Sequence, residues 1–129
     1  MDETTADRQE AFRLARLRRL RVMDTPAEAV LDGCTKLAAE LTGRPIALIT
    51  LVDSERQWFK SAFGLAQGGQ TPRANAFCAH AIAQDGLFEV EDARADPRFA
   101  ANPLVTGAPH VVHYAGQPLR MPGGERVGT

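Results

Sequence analysis

The sequence predicts an α+β fold built as one domain, and three observations carry that reading. Two helical apolar periods precede Gly43, an unbroken apolar run then turns into an alternating one, and the rest of the chain interleaves a short helix and further strands with loops rich in proline and glycine. At 129 residues the chain has the length of a single compact domain, and its 44% hydrophobic content is ordinary for a globular protein able to bury a core.

From Arg8 to Val22 the apolar residues Phe12, Leu14, Leu17 and Leu20 recur at helical spacing, with the five arginines of "RLARLRRLR" on the remaining faces. This is the pattern of a lid or a partner-facing helix. "TPAE" at 25–28 reads as a capping box: Thr25 would bond a free amide, Pro26 is preset for the first turn, and Glu28 reaches back. Val30, Leu31, Cys34, Leu37, Ala38 and Leu41 then share one stripe of a second helix, which places Cys34 in the core, and Gly43 followed by Pro45 stops it.

"IALITLVD" is the pattern of a strand covered on both faces and interior to its sheet. "DSER" turns it into "QWFKSAFGL", where Trp58, Lys60 and Ala62 alternate with Phe59, Ser61 and Phe63, so the two segments predict a hairpin. Residues 64–72 read as a loop. Asn75 is expected to cap a short helix running to about Gln84. "LFEVED" is a third strand, "ADPRFAANPLVTGAP" a long loop, "HVVHYAGQPL" a fourth strand and "MPGGE" a turn. "RVGT" opens a fifth strand that the sequence does not complete.

A net charge of -1, from 15 basic and 16 acidic residues, offers no electrostatic case for nucleic acid or an anionic membrane as partner. Arginine outnumbers lysine 13 to 2, which shapes surface ion pairs without naming a partner. "MDETTADRQE" lacks the order of a secretory signal, and the longest apolar runs are too short to cross a bilayer, so the expected location is cytoplasmic. Cys34 and Cys78 form neither a disulfide framework nor a metal knuckle, and both are expected as reduced, buried thiols. On a helix Cys78 and His80 would point about 200° apart and so share neither a metal ion nor a proton. Cys78 falls on the core face with Phe77, Ala81 and Ile82. His80 falls on the loop-facing side, either bonding loop backbone or touching a ligand. His110 and His113, three apart in a strand, also diverge, so no metal site and no cofactor is expected.

Taken in order, "PIALITLVDSERQWFKSAFGL", "TPRANAFCAHAI" and "DARADPRFAANPLVTGAPHVVHYAGQPL" resemble the GAF domains at the N-terminus of bacterial sensor histidine kinases and diguanylate cyclases. The resemblance spans about Leu17 to Thr129, leaving residues 1–16 as a helical extension and 17–129 as the domain. It implies a GAF/PAS-like antiparallel β-sheet flanked by helices, with a ligand-receptive pocket under loops and the last strand beside the first. It also implies a further apolar strand and helix after "RVGT", so a C-terminally truncated domain is the expectation.

The implied function is sensing: a small molecule or a neighbouring chain shifts the domain between states, and flanking helices carry the shift to an output domain. The fold alone names no ligand. The expected pocket takes Tyr114 and Val112 from the fourth strand, Phe77 and Cys78 from the short helix, Arg98, Phe99 and Asn102 from the long loop, and Arg73 before the helix. Arg73 and Arg98 suit a carboxylate or phosphate, or else pin loops by pairing with Asp92 or Asp96. Trp58 reads as packing beneath the helices. Alternatives are a spacer or homodimerisation module working through the arginine-rich first helix, or a degenerate fragment. Relatives that reduce free methionine sulfoxide carry a nucleophilic cysteine in the loop before the fourth strand. Here "FAANPLVTGAPH" has none. Light-sensing relatives attach a bilin through a cysteine near the Cys78 helix, but their accompanying motifs are missing.

Overall fold

The computed structural model describes residues 3–66 and 68–129. Met1, Asp2 and Gln67 lie outside them, and with them part of the expected extension and of the expected 64–72 loop. Helix α1 spans Glu3–Leu20, and of its four periodic apolar residues only Leu17 is fully buried, while Phe12 stands 69% exposed. The other inward position belongs to Arg13, whose Nη1 donates to the Val52 carbonyl at 2.6 Å. That carbonyl and the Glu10 carboxylate satisfy the buried guanidinium, which is the condition for holding it there.

Helix α2 runs from Ala29 to Thr42 and overturns two expectations. There is no capping box: Glu28 is the N-cap and its side chain makes no cap bond, while Thr25 donates to the Val22 carbonyl at 2.5 Å and accepts from Lys60. The apolar stripe faces outward. Val30 and Leu41 are 80% and 77% exposed, Leu37 is half-exposed and Cys34 is exposed rather than in the core, whereas Thr35 and Ala39 are the buried residues. Gly43 does end the helix, in the left-handed region at φ 67°, with its N–H donating to Ala39.

The reason for the inversion lies in the sheet. Strands β1 (Ala47–Val52) and β2 (Arg56–Phe63) form the predicted hairpin, but Ile49 pairs with Ser61 and Thr50 with Phe59, so Lys60 is an extra residue in β2. The bulge breaks the strict alternation and leaves both Lys60 and Ser61 facing the helices. Lys60 Nζ reaches Thr25 Oγ1, the Pro26 carbonyl and Glu28 at 2.7–2.8 Å. Ser61 Oγ meets Asp32 Oδ1 at 2.6 Å and Thr35 Oγ1 at 2.9 Å. A sheet surface that offers an ammonium and a hydroxyl needs polar partners, so α2 turns its polar side inward.

Strand β3 (Gln70–Pro72) lies within the expected loop and pairs with β2. A 3-10 turn at Arg73–Asn75 leads to helix α3 (Phe77–Ala81), shorter than expected and N-capped by Ala76 instead of Asn75. Strand β4 (Phe88–Val90) pairs with β5 (Tyr114–Gly116) in a separate two-stranded ribbon. The long loop contains a further helix, α4 (Pro103–Thr106). Residues 110–113 are not strand, and "QPL" passes into a separate short strand, β6 (Leu119–Arg120). Strand β7 (Arg126–Gly128) then lies between β6 and β1, giving the antiparallel order β3-β2-β1-β7-β6, with the last strand beside the first.

Both faces of β1 are covered, as its composition predicts. Leu51 joins Leu17, Trp58 and Val127 under α1, so Trp58 is packing. Val52 points the other way, to Cys78, Ile82 and Tyr114. A third cluster, Phe77, Val90, Ala93, Phe99 and Val105, joins α3, the ribbon and the long loop.

Candidate functional site

Helix α3 crosses the sheet face opposite α1 and α2, and its Cys78 is the hub of a small hydroxyl cluster. Thr50 Oγ1 donates to Cys78 Sγ at 3.3 Å, and the Tyr114 and Thr129 hydroxyls lie 3.1 and 3.0 Å from the same sulfur. Burial first, then the neighbouring Cys78, push the Tyr114 phenol well above the ordinary tyrosine range, so it remains protonated and able to donate.

Beside this cluster the rings close up. Phe77 stacks on Phe99 with centroids 4.3 Å apart and on Tyr114 at 5.1 Å. His80, on the loop side of α3 as expected, meets Phe99 edge-on at 4.9 Å and lies near-parallel to Phe88 at 6.2 Å. Phe77, Cys78, Phe99 and Tyr114 are therefore brought together.

The other expected residues go elsewhere. Arg98 is surface-lying, pairs with Asp96 through bonds of 2.7 and 3.1 Å, and rests its guanidinium 5.2 Å from the Phe88 and Phe99 centroids. Its hydrogen bonds hold the Asp96 carboxyl below the usual range. Asn102 works on the loop itself: Oδ1 accepts from Leu104 N to cap α4, and Nδ2 donates to the Asn75 carbonyl at 3.0 Å, fastening the loop to the segment before α3. Val112 is 39% exposed and lies outside the cluster, because 110–113 is irregular and Val111 takes the inward place. Arg73 points away, with Nη1 donating to Glu10 at 2.5 Å and to the Asp53 carbonyl at 3.1 Å.

Sequence reasoning missed four groups. Thr50 and Thr129 bracket Cys78 from strands distant in the chain. Gln57 and Thr71 are direct partners across β2 and β3, and Gln57 Oε1 and Thr71 Oγ1 are buried with no hydrogen-bond partner among the described residues. Gln57 also pairs with Val52, which puts both on the α3 side of the sheet. The one signal in the sequence was a glutamine directly before the aromatic pair Trp58 and Phe59. An open cleft of about 440 Å³ adjoins Thr71, between the β1–β2 turn at Asp53–Arg56 and β3. A second, of about 410 Å³, lies between the α1–α2 connection and Lys60.

Among the described residues no three His, Cys, Asp or Glu side chains gather closely enough to hold a metal ion, and no helix is long and apolar enough to cross a membrane. The family model for the GAF domain matches residues 26–129. Over 120 residues the chain is 42% identical to a cyclic di-GMP phosphodiesterase of Pseudomonas aeruginosa, a match covering 93% of this chain and 20% of that protein. The chain thus spans about a fifth of the relative's length. Among solved structures it is similar to a GAF domain of A. aeolicus in an inactive state (TM-score 0.58, 13% identity, covering 95% of this chain and 76% of that one). The GAF domain of an Acinetobacter phosphoenolpyruvate-protein phosphotransferase is equally close (0.59, 16%, 99% and 75%). A type II free methionine-R-sulfoxide reductase of Thermoplasma acidophilum also shares the fold (0.59, 11%, 93% and 72%). At these identities the structural likenesses speak for the fold alone.

Proposed function

The chain belongs to the GAF domain family, and from that membership we propose that it is a sensory module that takes up a small polar molecule on the α3 side of its sheet and regulates a larger signalling protein. The observation that carries ligand uptake is the pair of orphaned polar atoms on Gln57 and Thr71. Each buried group without a partner costs about 1–3 kcal/mol, and a ligand donating to Gln57 and bonding the Thr71 hydroxyl would recover both. Relay has a short route. Thr71 lies two residues from Arg73, which is bonded to Glu10 on α1, so a shift of β3 reaches the N-terminal helix directly. The regulated output is proposed to be cyclic di-GMP turnover, the activity of the relative aligned over this segment.

Native mass spectrometry of the purified chain identifies a copurifying molecule, and calorimetric titration of that molecule against Gln57→Met tests the site. The expected result is a loss of about tenfold or more in affinity, the equivalent of one buried hydrogen bond. It should come with a higher urea midpoint, because the orphan acceptor is gone. Unchanged affinity removes Gln57 from the site. A second reading, a spacer that binds nothing, is favoured by the close ring packing of Phe77, Phe99 and Tyr114 where several pocket residues were expected. It prevails if no ligand is found by mass spectrometry or thermal-shift screening.

A further inference from the structure

Gln57 and Thr71 sit at the open edge of the sheet, where β3 is the last strand. Gln57 is only 5% exposed, yet its amide carbonyl has no donor, and the Thr71 hydroxyl beside it is equally orphaned among the described residues. The cleft of about 440 Å³ that reaches Thr71 is walled by Asp53, Ser54, Glu55 and Arg56 from the β1–β2 turn and by Gln70 and Pro72 from β3. These walls offer mostly acceptors. Arg73 donates its N–H to the Glu55 carbonyl and Phe59 donates to the Gly69 carbonyl, so Gln70 and Pro72, lying between, turn their backbone groups outward. Proline has no N–H, which leaves two carbonyls and one N–H on that edge.

The charges around the cleft have the same bias. Glu55 is exposed and has no ion-pair partner among the described residues, and Asp53 meets Arg18 only at 3.7 Å. Arg56, the one cation in the cleft wall, is already engaged: it holds both Asp24 carboxylate oxygens and Gln70 Oε1 at 2.5–2.9 Å. Arg73 is bonded to Glu10 and the Asp53 carbonyl, and Arg98 to Asp96, so neither is turned toward an incoming anion. Lys60 projects from the opposite face of the sheet, onto Thr25, Pro26 and Glu28. A carboxylate or phosphate entering here would lose water and gain no counter-charge.

The geometry points to a guanidinium-bearing molecule as the ligand of this site. The inference rests on the orphaned pair being a binding site, and adds the sign and shape of what it binds. A guanidinium carries its N–H donors in a fixed planar fork, so one group can donate to the Gln57 carbonyl and the Thr71 oxygen on neighbouring strands while its charge lies in the field of Asp53 and Glu55. An ionised donor makes hydrogen bonds about twice as strong as a neutral one, which favours the cation over an uncharged amide of the same outline. A guanidinium is also more weakly hydrated than an ammonium, and so is the cation more readily buried against an amide.

Ethylguanidinium, ethylurea and propionate are of similar size and differ in charge, and titrating each into the isotope-labelled full chain, followed by amide NMR, tests this. Ethylguanidinium should shift the Thr71 backbone and Gln57 side-chain signals saturably, ethylurea should bind at least about threefold more weakly, and propionate should leave both signals in place. Gln57→Met should weaken ethylguanidinium by about tenfold or more, and Glu55→Gln, a change at an exposed side chain, by about two- to fivefold. Equal affinity for ethylurea overturns the proposal, because charge is then not read. So does a response of these signals to propionate, or none to ethylguanidinium. A copurifying anion that Gln57→Met weakens would keep the site and overturn its proposed charge, whereas a copurifying molecule indifferent to Gln57→Met would overturn the site itself.

Discussion

At the scale of single residues, Cys78 shows how little a residue type says without its neighbours. Its helical position placed it on the core face, and it is there, but it is also the common partner of three hydroxyls. Cys78→Ala is therefore expected to do more than remove a sulfur atom: it deprives the buried Tyr114 hydroxyl of this partner and opens a small void. A loss of about 1–3 kcal/mol in urea unfolding follows, with Cys78→Ser milder because the hydroxyl cluster survives. Equal stability of the alanine variant and the parent would show the cluster to be energetically idle. Arg98 offers the contrast. Its expected role in the pocket is replaced by an exposed pairing with Asp96, and Arg98→Ala should leave the urea midpoint essentially where it is.

Among the elements, the two short segments that matter most are held by close fits. Asn102 alone secures both the start of α4 and the tie to Asn75, so Asn102→Ala should cost about 1–2 kcal/mol, the usual value of a lost N-cap, and should raise hydrogen exchange at Leu104. Unaltered exchange there would mean the loop is held by Phe99 and Val105 alone. Strand β7 approaches β1 so closely that a Cβ at Gly128 would collide with the Thr50 carbonyl. Gly128→Ala is expected to force the strands apart and destabilise the chain by about 1–3 kcal/mol, read by the same unfolding assay. A neutral result would show that β7 is free to shift along β1.

For the molecule as a whole, the connection between α1 and the sheet is electrostatic as well as apolar. Burial draws the Glu10 carboxyl upward, but hydrogen bonds and charge from Arg13 and Arg73 prevail and hold it near 2 against an ordinary 4.5. A carboxyl lowered by folding adds stability that is complete above pH 4.5 and is lost as pH falls from there toward 2. The side chain is 34% exposed, so solvent screening reduces the contribution to about 1 kcal/mol. Glu10→Gln should accordingly be less stable than the parent at neutral pH, and the gap should close in acid. A gap independent of pH would assign the effect to packing.

The sequence by itself determined the first two helices, the β1–β2 hairpin, the two-sided burial of β1 and the stop at Gly43. These rest on local periodicity and on residues whose backbone preferences act within a few positions, whereas the family was legible only through the resemblance of three segments in order. It also placed Phe77 and Cys78 on the core face of their helix. Only the tertiary structure decided which way α2 faces, because periodicity marks a stripe without saying whether it turns toward the sheet or the solvent. One extra residue in β2 placed Lys60 and Ser61 beneath the helix and reversed the answer. The partners of Arg73, the orphaned pair on Gln57 and Thr71, and the hydroxyls around Cys78 were decided there too. Each is a contact between segments remote in the chain, and hydrogen bonding across such distances leaves no trace in the spacing of residues.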